Sequence, residues 1–76
     1  MLSFQPKSSH IRGVQYDEAT RRLSVEFHKG DVWHYEGVPH EAYVNFTRYR
    51  SAGEFFHGVI RRHYRGVKLD KAGRIG

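Results

Sequence analysis

Basic side chains with aromatic rings between them are concentrated in the second half of this chain of 76 residues. Residues 1–46 contain five Lys or Arg and six Asp or Glu, whereas residues 47–76 contain eight and two. Clustered cationic groups bind phosphate oxygens, and neighbouring rings stack on unpaired bases. The candidate residues for this chemistry are Arg48, Arg50, Arg61, Arg62, His63, Tyr64, Arg65 and Lys68. They predict weak binding of RNA or another polyanion, and nothing in their pattern specifies a base.

A metal or hydrolytic site is the second chemistry to consider, because His34, Glu36 and His40 lie within seven residues. Alternation along a strand would put His34 and Glu36 on one face as two possible zinc ligands. Their spacing matches no established zinc signature, and the chain has no cysteine. Ser51 fits a helix cap better than a nucleophile. We therefore predict no enzyme activity, no metal and no cofactor.

A protein-interaction or adaptor module is the alternative function, with docking through a sheet edge or an aromatic rim. Val32 on an open sheet face, with Tyr43 or Tyr49 beside the helices, would contribute to such a surface. The N-terminus lacks the apolar run of a signal peptide, and no segment has the roughly 18 apolar residues that span a bilayer. The sequence thus predicts a cytoplasmic protein without a membrane partner, and a monomer is the favoured state.

Three short antiparallel strands are predicted between residues 10 and 36. Apolar and polar residues alternate most clearly along the second strand, which indicates that one of its faces is buried. That face would consist of Leu23, Val25 and Phe27. Gly13 marks a bulge where the first strand changes phase, and Gly30 supplies the positive φ that a short hairpin commonly requires.

The stretch DVWHYEGVPHEAY, residues 31–43, contains the rings of Trp33 and Tyr35, which form either a core or a stacking platform. The two rings share one strand face, and His34 and Glu36 share the other. Burying the second set would desolvate an imidazole and a carboxylate at a cost of several kcal/mol. We therefore predict that both rings lie mainly in the core, so that the open sheet face is polar.

Two helices are predicted after Pro39, which fits the first turn of a helix because its missing N–H costs nothing there. Ser51 and Glu54 have the spacing of a capping box at the start of the second helix. Strands and helices together give a predicted core of Leu23, Val25, Phe27, Trp33, Tyr35, Phe46, Phe55, Phe56 and Ile60.

These elements predict an α+β fold of order βββαα, in which a three-stranded antiparallel β-meander is followed by two α-helices packed on one sheet face. Residues 1–8 are predicted to be a flexible N-terminal arm, residues 9–64 to form the domain, and residues 65–76 to be a flexible basic tail. A chain of 76 residues has room for one core only.

The order and spacing of three segments resemble the KTSC domain, a short module named for its occurrence at the C-terminus of some lysyl-tRNA synthetases. The segments are SSHIRGVQYD, LSVEFHKGDVWHYEGVP and SAGEFFHGVIR. The family's Tyr-x-Tyr before Gly-Val-Pro is Trp33-His34-Tyr35 here, which deletes one phenol, and His57 stands where Asn is common. The resemblance implies a free-standing bacterial or phage domain without a settled activity. Attachment to a synthetase suggests RNA binding by association alone.

Overall fold

The structure, a computed structural model, describes residues 1–69. One antiparallel sheet has the strand order β1-β2-β3-β4-β5. Its strands are β1 (Leu2–Phe4), β2 (Ile11–Asp17), β3 (Arg22–Phe27), β4 (Val32–Tyr35) and β5 (Gly66–Lys68). The helical elements are α1 (His40–Arg48), α2 (Ala52–Phe55), a π segment (Phe56–Ile60) and α3 (Arg61–His63). Because α2, the π segment and α3 follow one another without a break, they form one helical rod beside α1.

The α+β class is confirmed, but the prediction of three strands is wrong, because the sheet has five. The additional strands β1 and β5 lie in segments assigned above to the arm and the tail. Each has three residues, whereas an alternating pattern becomes recognisable over about four to eight. β1 pairs with β2, and β5 pairs with β4. The rest of the predicted tail, residues 70–76, lies outside the described residues.

The bulge predicted at Gly13 is confirmed, since the pairing of β2 with β3 shifts register between Ile11 and Gly13. The extra residue lets Ile11, Val14 and Tyr16 all face the helices although their spacing changes parity. All three side chains are buried. Gly30 adopts φ +106, as predicted for the hairpin between β3 and β4.

Both helix starts have local causes. Pro39 is the N-cap residue of α1, and its carbonyl accepts from the backbone N–H of Ala42 at 3.0 Å. The hydroxyl of Ser51 accepts from the backbone N–H of Glu54 at 3.3 Å, as the predicted cap requires. The two helical elements meet where the ring centroids of Phe46 and Phe55 are 5.0 Å apart.

The core lies between the helices and one sheet face. Of the nine predicted core residues, seven are buried, and Phe27 and Trp33 are partly buried against the same cluster. Trp33 is thus less buried than predicted, whereas Tyr35, two residues later on the same face, is buried and packs on the ring of Phe56 in the helical rod. Tyr43, which was considered for a docking surface, is only 6% exposed and stacks on Tyr16.

Candidate functional site

The π segment places Phe56 and Arg61 on the same side of the helical rod, toward the sheet. The backbone N–H of Arg61 donates to the carbonyl of Phe56, five residues earlier. In an α-helix, five residues turn the chain by about 500°, which would leave Arg61 about 140° away from Phe56 around the axis. The wider π turn reduces this offset, so that Arg61 lies one turn beyond Phe56 on the same side. π turns are frequent at functional sites.

A cavity of ≈ 490 Å³ opens between this rod and the end of the sheet formed by β3, β4 and β5. We call it the aromatic groove. Its rings belong to Phe27, Trp33, Tyr35 and Phe56. Its charged and polar lining consists of His10, Lys29, Asp31, His57, Arg61 and Lys68, and Gly66 completes it. The groove therefore combines an aromatic floor with a predominantly basic rim.

The floor is built by packing between sheet and rod. The ring of Phe56 stands edge-on to Phe27 and Tyr35, with centroid distances of 5.3 and 5.6 Å. Trp33 and Tyr35 are stacked at 6.4 Å with planes 19° apart. Because Trp33 remains partly exposed, the groove presents an aromatic surface to solvent.

Gly66 allows the phenol ring to lie directly against β5. A Cβ atom at this position would overlap Cε2 of the Tyr35 ring. The backbone of β5 therefore closes one wall of the groove. Burial raises the pKa of Tyr35, and the nearby charge of Arg61 opposes that rise. The phenol stays protonated at neutral pH and is a hydrogen-bond donor beside the guanidinium.

Asp31 organises the ammonium groups at the rim. Its carboxylate oxygens are 3.1 Å from Nζ of Lys29 and 3.7 Å from Nζ of Lys68. The hydrogen bond from Lys29 is the main reason that the pKa of Asp31 is lowered. The carboxylate is therefore ionised and pairs with two ammonium groups, while Arg61 adds a further positive charge to the groove lining. The rim keeps a positive surplus that attracts anions.

Two of the eight predicted phosphate-binding residues lie in the groove, and six lie outside its lining. Arg61 and Lys68 line the aromatic groove. The other six, which lie outside its lining, are Arg48, Arg50, Arg62, His63, Tyr64 and Arg65. Tyr64 is partly buried against the core, and Arg50 is 3.9 Å from Glu54.

Sequence reasoning missed the contribution of Asp31, Lys29, His10 and His57 to the groove. One signal was available, because residues 31, 33 and 35 have the same strand parity and must share a face. No comparable pattern links these residues with His57, since the rod approaches the sheet only in the folded chain.

The opposite side of the sheet, here called the outer face, pairs its charges. Arg22 contacts Glu36 at 2.7 Å, and Arg12 contacts Glu26 at 3.6 Å. His34 is partly buried on this face, and its pKa is lowered by burial and then by the charge of Arg22. Across residues 1–69, no three histidine or carboxylate side chains are grouped so that they could hold a metal ion.

The helices within residues 1–69 are all too short or too polar to cross a membrane.

Comparisons with known proteins identify relatives of two kinds. The sequence profile of the KTSC domain matches residues 7–64. An uncharacterized protein of Stutzerimonas stutzeri is 35% identical over 65 residues, which cover 84% of this chain and 92% of that protein. A lysine–tRNA ligase of Nostoc is 28% identical over 65 residues, which cover 86% of this chain but 12% of the ligase. The match therefore concerns one segment of that enzyme.

The crystal structure of a KTSC domain protein from Yersinia pestis has the same fold. The two structures agree with a TM-score of 0.81 at 34% sequence identity, over 91% of this chain and 97% of that chain. Because the alignment covers 91% of this chain, the agreement extends over most of the fold and is not limited to one element.

Proposed function

Because the chain belongs to the KTSC domain family, we propose that it is a non-enzymatic binding module whose aromatic groove binds single-stranded nucleic acid. The observation that carries this proposal is a partly exposed indole in the same groove as three cationic side chains. Proteins that bind single strands combine these features, because bases stack on rings and phosphates follow the cations. Stacking on an aromatic side chain contributes about 1–3 kcal/mol per base.

The distribution of charge supports a polyanionic ligand at this groove. Among the described residues that line the groove, Lys29, Lys68 and Arg61 supply three positive charges against the one carboxylate of Asp31. On the outer face, each of the two arginines named above contacts a carboxylate of its own. A phosphate backbone is therefore attracted to the groove side in preference to the outer face.

The relatives add support of a more general kind. The full-length relatives carry no enzymatic name, which agrees with a binding module. A matching segment also occurs in lysine–tRNA ligase, a protein whose name includes an RNA substrate. This chain spans only 12% of that ligase, so its substrates are no more than an association for the present domain.

The test compares two double variants that remove equal charge. R61A/K68A removes two cationic side chains from the groove. We expect it to weaken binding of an eight-nucleotide single strand far more than R62A/R65A does. The slope of log affinity against log salt should flatten by about 1.4 in the groove variant, since each lost contact to a single strand contributes about 0.7. Binding is measured by fluorescence anisotropy, and thermal melting verifies that both variants are folded.

Two outcomes would contradict the proposal. Absence of binding by the unaltered protein at low salt would exclude nucleic acid as the ligand. An equal loss in R62A/R65A would move the site from the groove to a diffuse basic surface.

A protein-binding role is the second candidate, and Tyr49 favours it. Its side chain is 49% exposed while its ring packs on Phe55 at a centroid distance of 5.4 Å. Arg48 and Arg50 flank it and are exposed, and Tyr and Arg are enriched among residues that dominate protein interfaces. A partner captured by the unaltered protein and by R61A/K68A, but not by Y49A, would support this role.

A further inference from the structure

We propose that the aromatic groove holds one unstacked nucleotide at a time and that Asp31 makes it prefer bases with an exocyclic amino group over uracil. This inference rests on the proposed binding of single strands and adds the class of nucleotide that the groove selects. It assigns a selective role to a carboxylate in a rim that is otherwise basic.

The size of the groove and the state of its rings limit it to one base. Its volume of ≈ 490 Å³ lies within the usual range of small-molecule sites, roughly 300–1,000 Å³. The rings of Trp33 and Tyr35 are nearly parallel, with centroids 6.4 Å apart, and the ring of Phe56 packs edge-on against Phe27 and Tyr35. The indole is partly exposed and lines the groove, so a base that has left its own stack can pack on it.

The cations are arranged to hold the phosphate of that same nucleotide. Lys68 lies directly across from Trp33 in the pairing of β4 with β5. Arg61 enters from the helical rod, where the π segment turns it toward the sheet. A base stacked on the indole would thus have one cation from each layer of the fold within the same groove.

Asp31 lines the same groove as the indole on which the base would stack. It precedes β4 by one residue and has the same parity as Trp33, so that both line the groove. Lys29 and Lys68 each contact one of its two oxygens. A carboxylate has about four lone-pair sites, so acceptor capacity remains after these two contacts. Asp31 can therefore accept a hydrogen bond from a ligand.

The bases differ in the group that they present to this acceptor, and this difference predicts which base is preferred. Cytosine presents an amino group at position 4, and aspartate is a known acceptor for it. Uracil carries a carbonyl oxygen at that position, which the carboxylate would repel. One hydrogen bond gained in this way corresponds to a preference of about three- to tenfold. Cytidine and uridine are the sharpest pair for a test, because both are pyrimidines of nearly equal size.

Trp33 is the only tryptophan of the chain, so its fluorescence reports on the groove directly. The full chain is titrated with tetracytidylate and with tetrauridylate at low salt. We expect both to quench the indole, with the cytidine strand bound about three- to tenfold more tightly. The same order is expected for deoxycytidine and deoxyuridine strands, because the preference lies in the base.

D31N is the decisive variant, because an amide can both donate and accept a hydrogen bond. We expect the ratio of the two affinities to fall close to one, even though removal of a negative charge strengthens binding of both strands. D17N, at the end of β2 and outside the groove lining, is the matched control and should keep the ratio of the unaltered protein.

Each negative result in these titrations would refute a different part of the proposal. If neither strand binds, the proposed function itself is wrong. If both bind without quenching Trp33, nucleic acid is held elsewhere and the single-nucleotide groove is wrong. Equal affinities in the unaltered protein would overturn the role of Asp31. An oligoglutamate that quenches the indole as strongly as the cytidine strand would overturn the inference in favour of an acidic protein partner.

Discussion

The two faces of the sheet differ in how their cationic side chains are balanced by carboxylates. On the outer face, Arg12 and Arg22 each contact one glutamate, so that charge is balanced pair by pair. On the groove side, Lys29 and Lys68 share the single carboxylate of Asp31, and Arg61 adds a further cation. The net charge of +5 does not distinguish these surfaces. The local balance between cations and carboxylates is what separates a candidate binding face from a solvated one.

The faces also differ in what they bury. Tyr35, on the helix-covered face, is 2% exposed, whereas its neighbour His34 on the outer face is only partly buried. Burial of an aromatic ring in a tightly packed interior stabilises a small domain substantially. The groove therefore lies on the face of the sheet where substitutions are expected to destabilise the domain most.

The largest expected effect compares these adjacent residues of β4. Y35A should destabilise the domain by about 3–5 kcal/mol, because it removes a buried ring and leaves a cavity. H34A should cost about 0.5 kcal/mol or less, as is usual away from the core. Urea unfolding followed by circular dichroism measures both. Similar losses in the two variants would mean that the faces are not energetically distinct.

A smaller effect is expected where β5 closes the groove. G66A should destabilise by about 1–3 kcal/mol, because the added methyl group overlaps the ring of Tyr35 and packing must shift. Gly53 is the control, since a Cβ there meets open space in α2. G53A should be neutral or stabilising by up to about 1 kcal/mol, as alanine favours helix.

The comparison of G66A with G53A tests whether β5 forms a firm wall of the groove. If G66A has no effect on unfolding, then β5 does not hold Tyr35 in place. The groove would in that case be less firmly built than the sheet pairing indicates.

The features that the sequence predicts correctly are those encoded by single residues. Gly13 marks the bulge, Gly30 the hairpin and Ser51 the helix cap, and each acts on the backbone within a few residues. Alternation also assigns Trp33 and Tyr35 to one face. These signals need no knowledge of the rest of the fold.

The features that the sequence does not predict depend on contacts between distant segments. β5 forms because residues 66–68 return to pair with residues 33–35, and three residues containing a glycine have no strand pattern. The partial exposure of Trp33 depends on how far the helical rod extends over the sheet. The groove requires β4, β5 and the π segment together, so a reading of isolated segments predicts basic residues but not the cavity between them.

Removing charge from the outer face provides a third test. R12A/R22A takes away two cations, as R61A/K68A does, but each is already neutralised by a glutamate. We expect single-strand binding to change by about twofold or less, since screened and paired charges contribute little to attraction. Stability should fall by about 0–1 kcal/mol per ion pair. A loss of binding equal to that of R61A/K68A would remove the distinction between the faces.

The smallest expected effect is a dependence of stability on pH at the outer face. Burial, followed by the charge of Arg22, lowers the pKa of His34, while Glu36 opposes that change. The unfolded chain therefore binds the proton more readily than the folded domain. The stability due to neutral His34 is fully present above its unfolded pKa, about 6.5, and is lost as the pH falls through the lower folded value. H34Q should flatten this decline in urea unfolding measured below about pH 7. An unchanged decline in H34Q would mean that His34 does not carry the pH dependence of stability.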